Sequence, residues 1–117
     1  MDFLDNKPIY QQIVDYCHRQ LASGTWPAGA RVPAVKELAI ELTVNPRTVL
    51  KAYETLTDEG IISLRRGMGY YSSPDAKDRV LDAQRRHFMD VTIPRIIETI
   101  DALDLNPHSI AALIAGE

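Results

Sequence analysis

The chain has 117 residues, 45% of them hydrophobic and 25% charged, the make-up of one modest soluble domain or of a small domain with an extension. No apolar run nears the roughly 20 residues of a membrane span, the N-terminal MDFLDNKPIY lacks a signal-peptide pattern, and the single Cys17 has no internal disulfide partner, so a cytoplasmic location without membrane association is expected. A net charge of −3 excludes a globally basic nucleic-acid binder and leaves room only for a local positive patch.

Residues 8–22 read as a helix: Pro8 suits its first turn, and Ile9, Ile13, Tyr16, Cys17 and Gln20–Leu21 recur at helical spacing. Gly24 stops it. TWPAGARVPA follows, with a Pro27-Ala28-Gly29 turn, two prolines that forbid helix, and Trp26 as a packed anchor. That leaves room for one very short strand near Arg31–Val32. A second helix runs over 34–42, with Val35, Leu38, Ala39 and Leu42 spaced i, i+3, i+4, i+7.

TVNPRT breaks this helix and starts another over 46–59. Asn45 is a good N-cap and Pro46 is pre-organised for the first helical position. Val49, Ala52, Tyr53 and Leu56 form its apolar stripe, and Gly60 ends it. IISL is a β-prone run, RRGMG a turn and YYS a returning strand, a hairpin over 61–73. Helix, short strand, two helices joined by a three-residue turn, then a hairpin: this order is that of a winged helix-turn-helix.

Pro74-Asp75 marks a boundary between 1–74 and 75–117. Beyond it a long helix over 76–104 is expected, interrupted by Pro94 with a kink or break near 90–94. Asn106-Pro107 repeats the cap-plus-proline start and opens a short last helix. The fold class is therefore mainly α with a small β-hairpin: a winged helix-turn-helix followed by a short C-terminal helical region.

The core-facing stripe of the helix after Asn45 leaves Arg47, Thr48, Leu50, Lys51 and Glu54 outward or at its margin. Arg47 and Lys51 are four apart and share a face. A recognition helix enters the major groove with its N-terminal residues nearest the bases, which makes Arg47 the candidate for a base edge. Asn45 and Thr48 suit hydrogen bonds to phosphate or base, and Lys36 suits the sugar-phosphate backbone. On the hairpin, Arg65 and Arg66 are placed to reach a groove or phosphates, with Gly67 and Gly69 allowing the turn and a close approach. The competing reading is an ordinary solvated face, with Lys51 paired to Glu54 or Thr55. Of Tyr70 and Tyr71, one should pack on the helices while the other faces out.

The same residues resemble the GntR family of bacterial transcriptional repressors over 7–73, through PIYQQI, the G-x-W-P-x-G-x-R-V-P segment, KELA, AYETLTDEGII and RRGMGYY. VNPRTV with KAYE, and a tail of about forty residues, look like the family's YtrA branch, whose members carry a short two-helix dimerisation region in place of a large effector-binding domain. The resemblance implies DNA contacts at Lys36, Arg47, Thr48, Arg66 and Gly67, with Arg65 and Lys51 beside them, and repression as the usual outcome. Two positions depart from the pattern. Ala34 stands where a capping serine is usual, and Pro46 where other branches have arginine.

Residues 75–117 carry more apolar side chains than a short extension needs. Phe88, Val91, Ile93, Ile96, Ile97, Ile100 and Leu103, with Ile110, Leu113 and Ile114, make stripes that a second copy of the chain would cover. A homodimer on a two-fold operator of double-stranded DNA is therefore expected. Three scattered histidines, no cysteine pair and no phosphate-binding loop speak against an enzyme, a metal site or a cofactor, and the sequence leaves a small-molecule effector open. The alternative function is a winged helix used for protein–protein or RNA contacts without operator binding.

Overall fold

The computed structural model describes residues 7–117. Its helices are α1 (Ile9–Ser23), α2 (Val35–Leu42), α3 (Pro46–Asp58), α4 (Ala76–His87), α5 (Ile93–Ala102) and α6 (Pro107–Ala115), and β1 (Ile62–Arg65) and β2 (Gly69–Ser72) form the hairpin. The fold is thus mainly helical with one antiparallel two-stranded wing. The chain divides after Ala83 into two compact units.

In the first unit, α1 gives Ile13, Val14, Cys17 and Leu21 to the core. Burial pushes the Cys17 thiol up to about 12, so it stays protonated at neutral pH and serves as a small hydrophobe, not a nucleophile. Trp26 is buried with its ring edge-on to Tyr16 (centroids 6.2 Å apart). His18 Nε2 meets Glu59 Oε1 at 3.0 Å and ties α1 to the C-terminal end of α3.

Ala34, ahead of α2, has no side-chain acceptor, but the Glu37 carboxylate still accepts from its backbone N–H (2.8 Å). One half of a reciprocal capping pair survives the loss of the serine. The helix stops at Thr43, whose N–H donates to the Ile40 carbonyl (3.2 Å) while that of Val44 donates to Ala39 (3.0 Å). To make this turn Thr43 adopts a left-handed conformation, φ 56°, which a β-branched residue enters under strain.

Asn45 then caps α3, its Oδ1 accepting from the Arg47 N–H at 2.8 Å, with Pro46 in the first turn. Val49, Ala52, Tyr53 and Leu56 are all fully buried. Tyr53 donates its hydroxyl to the Pro33 carbonyl (2.6 Å) and stands edge-on to Tyr70 of the wing (5.0 Å).

The wing pairs Ile62 with Ser72, Ser63 with Tyr71, Leu64 with Tyr70 and Arg65 with Gly69. The strand expected near Arg31 is present as a single bridge to Tyr71, with the Val32 N–H donating to Tyr70 and the Ser72 N–H to Ala30. Buried Ser72 fixes this third segment further, donating its hydroxyl to the Pro27 carbonyl at 2.7 Å.

The first unit runs past the boundary expected at Pro74-Asp75, because Ala76, Val80 and Ala83 of α4 point into its core. Their i, i+4, i+7 spacing is a packing stripe. Asp75 anchors the start of this helix by accepting from the Ser73 hydroxyl and from Arg79 Nε (2.8 Å), contacts that hold its carboxyl below the usual range.

In the second unit the interruption expected near Pro94 takes a specific form. Proline has no N–H to give, and the preceding turn, Phe88–Thr92, widens into a π-helix in which the Ile93 N–H donates to the Phe88 carbonyl. The helical path continues and does not break. Asp104 turns the chain with φ 56°, and Asn106 caps α6 by accepting from the His108 N–H (2.8 Å), the device used at α3. No residue from Gln84 onward is buried.

The strained Thr43 turn makes a prediction. Thr43→Gly should stabilise the protein by about 0.5–1 kcal/mol, because relief of the left-handed strain outweighs the entropy cost of glycine. Thermal unfolding checks this: the melting temperature should rise by a few degrees, and a fall would show that the threonine side chain earns its place.

Candidate nucleic-acid interface

α2 and α3, joined through residues 43–45, form the helix-turn-helix, and the buried stripe of α3 fixes which of its residues face out. Arg47, Leu50, Lys51 and Glu54 are exposed, while Thr48 is half-buried at the margin. Charge divides this face along its length. Arg47 and Lys51 hold the N-terminal half, whereas Glu54 and Asp58 hold the C-terminal half. Only the first half suits a polyanion, and its helix N-terminus adds backbone N–H groups and the positive end of the helix dipole.

Asn45 spends its side-chain oxygen on the cap, which leaves its amide N–H groups as the part able to meet a partner. Lys36 is exposed in the first turn of α2. It lines an open apolar groove of about 310 Å³ together with Ala39, Ile40, Val44 and Pro46, so it stands on the side where α3 begins. Thr48, Arg47 and Lys36 are thus gathered around one end of the recognition helix.

Lys51 does not pair with Glu54 or Thr55 through its ammonium. Its Nζ lies 4.0 Å from the ring centroid of Tyr10 on α1, a cation–π contact that holds the charge beside the helix. Thr55 instead donates its hydroxyl to the Lys51 carbonyl (3.2 Å). Tyr10 was not singled out by spacing, since its partner is on another helix.

At the wing tip, Met68 N–H donates to the Arg65 carbonyl at 2.9 Å, leaving Arg66 and Gly67 as the central turn residues. Gly67 has φ 74°, which would strain any other residue. Arg66 therefore projects from the apex. Arg65, one step back, lies with its guanidinium 4.0 Å from the centre of the Tyr71 ring. The two tyrosines divide as alternation requires: Tyr70 packs on Tyr53 and Tyr71 supports Arg65 on the opposite side of the sheet. Among the described residues the ion pairs are Lys7–Asp15, His18–Glu59 and Asp75–Arg79, and none involves a cation of this surface. No cluster of potential metal ligands occurs among the described residues.

The apolar residues expected at a dimer seam all lie in the second unit. Phe88 and Val91 are on the π-helical turn, Ile96, Ile97 and Ile100 on α5, Leu103 at its C-terminal end, and Ile110 and Leu113 on α6. Ile97 is 53% exposed and Leu113 73%, while Val91, Ile96, Ile100 and Ile110 are half-buried.

Comparison with known proteins agrees with this geometry. Residues 9–71 match the model of the bacterial regulatory proteins, gntR family. The chain is 38% identical over 84 residues to the HTH-type transcriptional repressor YtrA of Bacillus subtilis, an alignment covering 72% of this chain and 65% of that protein, so it spans just under two thirds of that relative. Among solved structures, a GntR family transcriptional regulator from Listeria monocytogenes is 36% identical with a TM-score of 0.69, covering 100% of this chain and 99% of that one. YtrA from Sulfolobus acidocaldarius, a GntR-family transcription factor, is 30% identical with a TM-score of 0.55, covering 99% and 96%. These relatives are transcription regulators and not enzymes. A winged helix-turn-helix followed by helices, matched by the family model over more than half its length, this chain belongs to the GntR family of bacterial regulatory proteins.

Proposed function

We propose that this protein is a sequence-specific DNA-binding transcriptional repressor that holds a two-fold operator as a homodimer. The observation that carries the reading is the divided face of α3: a fully buried stripe on one side, and Arg47, Thr48 and Lys51 on the other at its capped N-terminal half. Repression is the reading that the name of the Bacillus relative supports.

In this reading the N-terminal half of α3 enters the major groove and Arg47 reads a base edge. Lys36, Asn45, Thr48 and Lys51 hold the flanking backbone, and Arg66, Gly67 and Arg65 bring the wing to an adjacent groove or phosphate. A protein-contact module would not need this concentration of cations at one helix end; an RNA module would, but the helix-turn-helix order and the transcription-regulator relatives favour duplex DNA. No effector is proposed.

One winged helix reads too few base pairs to select a site in a genome, and two copies related by a two-fold axis double the readout. The second unit supplies the seam: Ile93, Ile96, Ile97 and Ile100 recur at i, i+3, i+4, i+7 on α5, yet none is buried within the chain. An apolar stripe of this kind is stabilised when a second copy covers it.

With an operator recovered by selection from a random duplex pool, Arg47→Ala should lose about 1–3 kcal/mol of affinity on that operator and much less on random DNA. Fluorescence anisotropy measures both, and equal losses would show that Arg47 holds phosphate only. For the seam, Ile97→Asp should convert the dimer to a folded monomer at micromolar concentration, because an unpaired carboxylate is costly to bury. Sedimentation velocity with circular dichroism reads this; a folded variant that stays dimeric would place the interface elsewhere.

A further inference from the structure

The hairpin register puts Ser63, Arg65, Gly69 and Tyr71 on one side of the wing sheet, and the bridge to Tyr71 adds Arg31 to the same side. Their neighbours Ile62, Tyr70, Ser72 and Val32 face the core. The outward face of the wing therefore carries two arginines from two different segments of the chain, and both are exposed.

Both side chains reach across to β2. Arg65 lies over the Tyr71 ring, 4.0 Å from its centroid. Arg31 takes the other direction and settles over Gly69, its Nε 3.0 Å from the point where a β-carbon would stand. The guanidinium of Arg31 fills side-chain space that only glycine leaves empty, and Gly69 is itself the strand partner of Arg65. The two cations thus lie over positions 69 and 71 of one strand, positions separated by about 7 Å of strand rise. Tyr71 and Gly69 are positioning residues: the first supports Arg65 from below and the second makes room for Arg31.

Neither arginine is ion-paired among the described residues, so two like charges share this small face until an anion joins them. Guanidinium forks suit the oxygens of a phosphate. The face is also continuous with the apex, since Arg65 precedes Arg66 directly. The geometry points to a phosphate clamp formed by Arg31 and Arg65 on the outward face of the wing, which grips a DNA backbone phosphate when the wing tip engages the duplex. The clamp rests on the DNA-binding reading above and extends it to Arg31, a residue outside both the recognition helix and the hairpin.

A backbone clamp carries no sequence information, and that sets the test. Binding of the full-length protein to the selected operator and to a random duplex is measured by anisotropy across a salt series, for wild type, Arg31→Ala, Arg31→Lys, Arg65→Ala and the Arg31→Ala/Arg65→Ala pair. Arg31→Ala should weaken both duplexes by the same factor, roughly three- to tenfold, and flatten the slope of log K against log salt by about 1 per bound copy. Arg31→Lys, which keeps the charge, should retain most of the slope. The double variant should lose less than the product of the single losses, because both groups hold one phosphate. The melting temperature of the free Arg31→Ala protein should be unchanged or higher, as repulsion is removed.

If Arg31→Ala binds like wild type while Arg47→Ala is impaired, the clamp is wrong and the DNA-binding reading stands. A lowered melting temperature with an unchanged salt slope makes Arg31 a packing residue and also overturns the clamp. Should Arg31→Ala not fold, an Arg31→Lys variant that loses the full slope despite its charge contradicts the proposal as well. Wild type that binds neither duplex overturns the DNA-binding reading itself.

Discussion

Tyr53 holds together the three parts of the winged helix-turn-helix. It is fully buried, belongs to α3, donates its hydroxyl to the carbonyl of Pro33 ahead of α2, and packs its ring edge-on against Tyr70 of the wing. Burial raises the pKa of this hydroxyl, so it remains a donor at any working pH. Together with the rest of the buried stripe, this side chain fixes α3 against the segment ahead of α2 and the hairpin after it. Losing the hydroxyl would strand a carbonyl; losing the ring would open a cavity at the meeting point of all three.

From that arrangement follows how a chain of net charge −3 can present a surface suited to a polyanion. The cations of this surface are not numerous, but none of them is ion-paired among the described residues. Lys51 is held beside Tyr10 and Arg65 above Tyr71, while the acidic side chains of α3 are confined to its far half. Among the described residues, two of the cations are therefore steadied by aromatic rings and not by carboxylates. Each such contact contributes about 0.5–1 kcal/mol at an exposed site, enough to bias a flexible side chain without neutralising it.

Much of this was legible in the residues, for physical reasons that differ from place to place. The Asn45-Pro46 and Asn106-Pro107 starts were readable because capping is local chemistry, and both caps form. The stripe Val49, Ala52, Tyr53, Leu56 was readable from period alone. The end of the first unit was not. Pro74-Asp75 looks like a boundary, yet the burial of Ala76, Val80 and Ala83 depends on what α4 packs against, which no local signal encodes. Pro94 announced an interruption, but its expression as a π-helical turn over Phe88–Thr92 depends on where the displaced hydrogen bonds go. The partners of Lys51 and Arg31 were hidden for the same reason: Tyr10 is on another helix, and Gly69 meets Arg31 only through the bridge to β2.

Operator recognition by two copies of α3 is tested most directly by hydroxyl-radical footprinting of the selected operator with the full-length protein at saturation. Two protected half-sites are predicted, related by a two-fold axis, on one face of the duplex, with centres about 10–10.5 base pairs or a multiple apart. A single protected segment, or protection spread evenly along the duplex, would contradict it.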